Sequence, residues 1–195
     1  AEKRRWLPRR IFRYSVFIMI SILLLVYLWF YLFQEAKLFE PHKNPTGYVP
    51  KPQLEPSADY FLAVGEAKVN FQKFAAYTET RNGIIFYLHG NRGSIEVCRF
   101  LIEPFLDAGH DVWTMDYRGF GKSTGQRSEA AVLADAQLVY KRILREENEE
   151  DVIVWGRSMG SGIAAFIASG NSPKALVLET PYWSLPDAVC HSRGR

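Results

Sequence analysis

The sequence predicts an α/β domain, a mostly parallel sheet with helices on both faces, preceded by one transmembrane helix. Three observations lead there. From about residue 60, short apolar runs alternate with helical patterns, as strand–helix–strand units do. The twenty residues from Tyr14 to Phe33 carry no charge. Finally, a glycine–serine knot joins an apolar run to a small-residue stretch in "VIVWGRSMGSGIAAF", Val152 to Phe166.

The uncharged run sets the organisation of the N-terminal part. Twenty helical residues reach about 30 Å, the thickness of a bilayer's hydrocarbon. Tyr27, Trp29 and Tyr31 crowd its far end, where aromatic rings favour the membrane interface. Lys3, Arg4, Arg5, Arg9, Arg10 and Arg13 precede it, against one acid, Glu2. Residues 1–13 are therefore expected in the cytoplasm, 14–33 as a signal anchor, and the remainder outside the cytoplasm. A cleaved signal peptide is the rival, but "FQEAKLF" offers a poor cleavage site. The net charge of +3 comes from this basic block, since the rest of the chain is slightly acidic. Nucleic acid is thus not an expected partner. Residues 34–58 contain Pro41, Pro45, Pro50, Pro52 and Pro56. Proline fixes φ and lacks an N–H, so an extended spacer is expected, with His42 in solvent.

Residues 59–195 form the α/β domain. "DYFLAV" and "KVNFQKFAAY" read as early strands, and "GIIFYLH" as a strand buried on both faces. "SIEVCRFLIEPFLDAG" reads as a helix with Val97, Leu101 and Leu106 inward and a kink at Pro104. "DVWTMD" follows as a strand. Ser128 can cap a helix running to about Glu146, its inner face Val132, Ala136, Val139 and Ile143. "DVIVWG", "MGSGIAAFIAS" and "KALVLE" complete the pattern as strand, helix and strand. Cys98 and Cys190 have no metal-ligand spacing and make no disulfide framework.

Chemistry in open parallel sheets gathers at the carboxyl ends of strands, and three such ends here are unusual. In "LHGNRGS", Gly90 and Gly93 allow a tight turn that frees the amide of Asn91 for an anion, while His89 reads as structural. "DYRGFGKSTG" contains "GKST", but a phosphate loop needs glycine five positions before Gly121, where Asp116 stands. It reads instead as a glycine-rich loop braced by Asp116 and Arg118. In Gly156-Arg157-Ser158-Met159-Gly160 the pattern G-x-S-x-G sits between strand and helix. A serine there occupies a strained turn that lifts its hydroxyl clear of the sheet, and Gly156 and Gly160 remove the Cβ atoms that would clash. The amide of Met159 opens the helix and can help hold an oxyanion. Small residues Ser161, Gly162, Ala164 and Ala165 suit close packing of that helix on the sheet. A dinucleotide-binding reading competes, since Gly160, Gly162 and Ala165 fit G-x-G-x-x-A with Glu179 beyond. It fails in register, because Ser158 stands where a pyrophosphate must approach a second glycine.

Taken in order, "LHGN", "DYRGFGKSTG" and "GRSMGSG" resemble the α/β-hydrolase superfamily, and within it the membrane-anchored serine hydrolases with lysophospholipase- or peptidase-like domains. The resemblance spans roughly Gly83 to Ala188 and includes "LETPYWSLPDA" after the sixth strand. It implies Ser158 as nucleophile, with Met159 and Asn91 supplying the oxyanion hole. It also implies an acid and a histidine on loops after two later strands. The stretch beyond Ser158 has room for one helix, one strand and a tail, so the sequence reads as the front part of a hydrolase, cut or frame-shifted near Ala188. Glu179 is the candidate acid. Asp187 and His191 follow in formal order, but His191 lies in a polar tail that cannot hold a general base in register. His110 precedes a strand, at the wrong end of the sheet.

The expected activity is hydrolysis of an ester, thioester or amide, lipid-like in view of the anchor, without cofactor or metal. A membrane-tethered module lacking catalysis is the alternative, because an unassisted serine hydroxyl is a weak nucleophile.

Overall fold

The computed structural model describes residues 6–38, 55–91 and 93–182. The chain divides into two compact units, Ala1–Lys37 and Leu38–Arg195. Of the expected spacer, residues 39–54 fall outside the described residues, as do Asp187, Cys190 and His191, while 34–38 are helical and not extended.

The first unit is the helix α1, Trp6–Leu38. It begins inside the basic segment and continues past Phe33, so it is longer than the span expected from charge alone. Arg10–Phe33 has a mean hydropathy of 2.6 and is long and apolar enough to cross a membrane. Its large apolar side chains from Ile11 to Phe33 are exposed, apart from the half-buried Val16. Tyr27 stacks on Tyr31 and Trp29 lies against Phe33, each pair one helical turn apart.

The second unit holds strands β1 (Ala58–Val64), β2 (Ala67–Phe74), β3 (Gly83–Leu88), β4 (His110–Met115), β5 (Val152–Arg157) and β6 (Ala175–Glu179). Helices α2 (Ile95–Asp107), α3 (Glu129–Ile143) and α4 (Met159–Ser169) connect them. The sheet order is β1-β2-β4-β3-β5-β6. An antiparallel β1–β2 hairpin adds to β4, and β4, β3, β5 and β6 run parallel.

The unbroken apolar run of β3 follows from its central place. Ile84, Phe86 and Leu88 face α3 and α4, whereas Ile85 and Tyr87 face α2. Covering both faces removes any position for a polar residue. At about 2 kcal/mol per fully buried large side chain, this strand is a main source of cohesion. α3 starts where Ser128 accepts a hydrogen bond from the Ala131 amide, and it buries Val132, Ala136, Val139 and Ile143 as expected. It ends at Ile143, before the charged run, and a short 3₁₀ turn at Glu149–Asp151 leads into β5.

Three expectations need correction. α2 buries Ile95, Cys98, Arg99, Ile102 and Leu106, whereas Val97 and Leu101 stand at the margin of the contact. The stripe at i, i+3 and i+4 therefore starts from Ile95. The helix also continues through Pro104 to Asp107, with the proline side chain exposed. β2 stops at Phe74, short of the "AAY" read as strand.

Below the sheet, at the amino end of β4, lies a network of four charges. Glu147 accepts hydrogen bonds from Lys73 and Arg81, both at 2.8 Å, and from the Trp113 indole at 3.2 Å. Asp111 pairs with Arg81 at 3.0 Å. Burial alone would raise the Glu147 carboxyl, but its three donors outweigh burial and hold it below the ordinary glutamate value. A depressed carboxylate contributes stability above its unfolded pKa that is lost as pH falls through its folded one. Urea unfolding of the second unit's chain should therefore show stability declining below about pH 4.5. In Glu147→Gln that part of the decline should be absent.

Candidate active site

The carboxyl ends of β3, β4, β5 and β6 converge on the turn between β5 and α4. Ser158 sits there with φ 51° and ψ −119°. This is the mirror image of an extended conformation, disfavoured for an L-residue. The turn is held from both sides. The Ser158 amide donates to the Glu179 carbonyl at 2.9 Å, and the Ser161 amide donates back to the Ser158 carbonyl at 2.8 Å. The side chain makes no capping bond to α4 and is exposed.

Close approach explains the flanking glycines. A Cβ on Gly160 would overlap the Leu88 carbonyl oxygen, and one on Gly156 would overlap the Gly160 carbonyl. Backbone therefore meets backbone where α4 enters the sheet. The dinucleotide reading loses its structural basis here, because Gly160 and Gly162 lie inside α4 and not at the strand–helix turn. Of the other small residues, Ser161 and Ala164 are buried, Gly162 faces Tyr182, and Ala165 is exposed rather than packed on the sheet.

The β3 loop lies beside the serine. A methyl at Gly90 would stand 3.4 Å from the Ser158 Cβ and 3.9 Å from its Oγ. Asn91 follows at once, and Met159 is the first residue of α4, so its amide has no partner within the helix. The structure thus brings Ser158, Met159, Gly156, Gly160 and the Gly90–Asn91 peptide together.

It does not bring Glu179 to the serine hydroxyl. Glu179 pairs in register with Arg157 on the α2 side of the sheet. There its carboxylate meets Arg157 Nε at 3.3 Å and accepts from the Trp155 indole at 3.2 Å. His89 is fully buried, with Nδ1 2.8 Å from the Gly90 carbonyl, which makes Nδ1 the protonated nitrogen. Burial holds the ring below its ordinary pKa, outweighing the attraction of Asp116, so it is neutral at pH 7. His110 opens β4 at the opposite end of the sheet. Among the described residues, no histidine hydrogen-bonds Ser158. Cys98 is free and buried, and burial pushes its thiol up to about 11.

The β4 loop corrects one further expectation. Asp116 does brace it, accepting from the Lys122 amide at 2.9 Å. Arg118 instead leaves the loop and makes a two-pronged pair with the buried carboxylate of Asp135 on α3. Sequence reasoning also passed over Tyr117, whose hydroxyl donates to the His89 carbonyl at 2.8 Å, and Tyr182, which packs over Gly162. An aromatic immediately after Asp116 at a strand end was the available signal for Tyr117.

The doubly covered parallel sheet, the antiparallel hairpin at its edge and the serine turn after β5 define an α/β-hydrolase domain. A family model described as serine aminopeptidase, S33, matches residues 79–193, more than half of the chain. The chain belongs to this family. Curated relatives include the lysophosphatidylserine lipase ABHD12 of Danio rerio, 31% identical over 118 residues, covering 55% of this chain and 30% of that protein. Another is the human protein ABHD12B, 36% identical over 112 residues, covering 53% and 31%. The chain thus spans about a third of the length of the curated relatives it matches. Among solved structures, an alpha-beta hydrolase from Vibrio vulnificus aligns with a TM-score of 0.61 at 22% identity, covering 70% of this chain and 50% of that one. A soluble variant of monoglyceride lipase from Saccharomyces cerevisiae gives 0.58 at 22%, covering 69% and 48%. These two show the fold.

The backbone of Ser158 carries a stability consequence. Glycine adopts either hand of the extended conformation without penalty, so Ser158→Gly should stabilise the domain by about 1 kcal/mol. Thermal unfolding of the two proteins measures this, and a destabilised variant contradicts the strain.

Proposed function

We propose that residues 59–195 act as a membrane-tethered serine hydrolase domain in which Ser158 is the nucleophile. The observation that carries this reading is the strained backbone of Ser158, which presents an exposed hydroxyl at the amino end of α4. The hydroxyl oxygen attacks an ester, thioester or amide carbonyl, and the amides of Met159 and Asn91 receive the negative charge that forms on its oxygen. Collapse expels the alcohol, thiol or amine, which takes up the proton that Ser158 loses, and leaves an acyl-enzyme, which water then cleaves. Relatives named lysophosphatidylserine lipase support an ester-linked lipid as substrate class. In this reading residues 1–13 are cytoplasmic, 14–33 span the membrane and 34–58 separate it from the domain outside the cytoplasm. Glu179 holds Arg157 and Trp155 and is not used as the acid.

A second reading has one observation in its favour. The proton of Ser158 needs a base, and among the described residues His89 is buried and committed to Gly90 while His110 is at the far end. A tethered module without catalysis has the same geometry.

Labelling of the detergent-solubilised full chain with a fluorophosphonate probe separates the two. The hydrolase reading expects labelling of the wild type and none of Ser158→Ala. An unlabelled wild type favours the non-catalytic module.

A further inference from the structure

We propose that Asp116 and Tyr117 are positioning residues for the oxyanion hole. Together they hold His89 and Ile95, on either side of Asn91, so that the amide of Asn91 keeps a fixed aim beside Ser158. The inference rests on the hydrolase reading above and extends it to two residues that touch no reacting atom.

The geometry starts from one peptide plane. The Gly90 carbonyl and the Asn91 amide belong to the same planar trans unit and point in opposite directions. Whatever fixes the carbonyl therefore fixes the amide. The Gly90 carbonyl accepts two hydrogen bonds, from the Gly93 amide at 3.0 Å and from His89 Nδ1 at 2.8 Å. The direction of the Asn91 N–H thus depends on where His89 and Gly93 stand.

His89, and Ile95 two residues beyond Gly93, are held by the two residues that follow β4. Before Asn91, Tyr117 donates its hydroxyl to the His89 carbonyl at 2.8 Å. The two rings lie 4.2 Å apart, and Tyr117 is completely buried. Beyond Asn91, Asp116 Oδ1 accepts from the amide of Ile95, the first residue of α2, at 2.8 Å. This satisfies one of the amides that a helix start leaves without an internal partner. Its other oxygen takes the Lys122 amide, so the carboxylate joins the glycine-rich β4 loop to the start of α2. Gly121 makes that joint feasible. Its φ is +48°, and a Cβ there would overlap the Asp116 carboxylate.

Three variants of the full chain test this. Tyr117→Phe removes only the hydroxyl, Asp116→Asn weakens the double acceptor, and Gly121→Ala displaces the carboxylate without changing it. Hydrolysis of p-nitrophenyl butyrate should show kcat about tenfold lower for each, with KM within about twofold, because a misaimed donor weakens the transition state and not substrate binding. Amide hydrogen exchange in residues 89–95 should be faster in Tyr117→Phe. Glu147→Gln, remote from the site, is the control and should leave kcat unchanged. Wild-type kcat in an active chain, or an equal fall of kcat in the control, would overturn the positioning role. Unchanged exchange in 89–95 would also overturn it, and that readout stands whether or not the chain is active. A wild type with neither turnover nor fluorophosphonate labelling removes the hydrolase reading and the positioning role with it.

Discussion

The approach of the first turn of α4 to the end of β3 is the contact on which the site depends. Gly160 lies so near the Leu88 carbonyl that no side chain fits between them. Only that proximity lets the chain leave β5, reverse at Ser158 and enter a helix within one residue. A larger residue at 160 would push α4 outward, and the reversal would relax. The serine would then lose its unusual backbone and with it the presentation of its hydroxyl. Overpacking of this kind costs about 1–3 kcal/mol even where neighbours yield, and here the neighbour is backbone.

Much of the fold was legible because its signals are local or periodic. β3 reads as a doubly covered strand from its uninterrupted apolar run, and α3 reads from its spacing and the capping Ser128. The serine turn was equally plain, since two glycines and a following small-residue helix have few other uses. What escaped depends on tertiary partners. That Asp116 binds the amide of Ile95 follows from α2 returning antiparallel to its strand, which no window of sequence contains. Arg118 looked like a loop brace because Asp135 is distant in sequence, yet α3 brings it close.

Glu179 is a different case. Its place at a strand end, near the elbow, is the right address for a catalytic acid. The address is not sufficient, because side chains alternate across a strand. Trp155, Arg157 and Glu179 share the α2 side, a placement that residue parity along β5 and β6 is enough to give. The main chain of Glu179 still reaches the site, through its carbonyl and the Ser158 amide. One residue thus serves the elbow with its backbone and a separate ion pair with its side chain.

The strand order has a consequence for how the domain is made. β2 pairs with β1, β4 with β3 and β2, β5 with β3, and β6 with β5. Apart from β3, which waits for β4, every strand after the first finds a partner already synthesised. Assembly can therefore keep pace with translation, each new strand docking on a finished edge while α1 is already available to the membrane. Among the described strands, β4 alone enters between two others, joining the β1–β2 hairpin to β3.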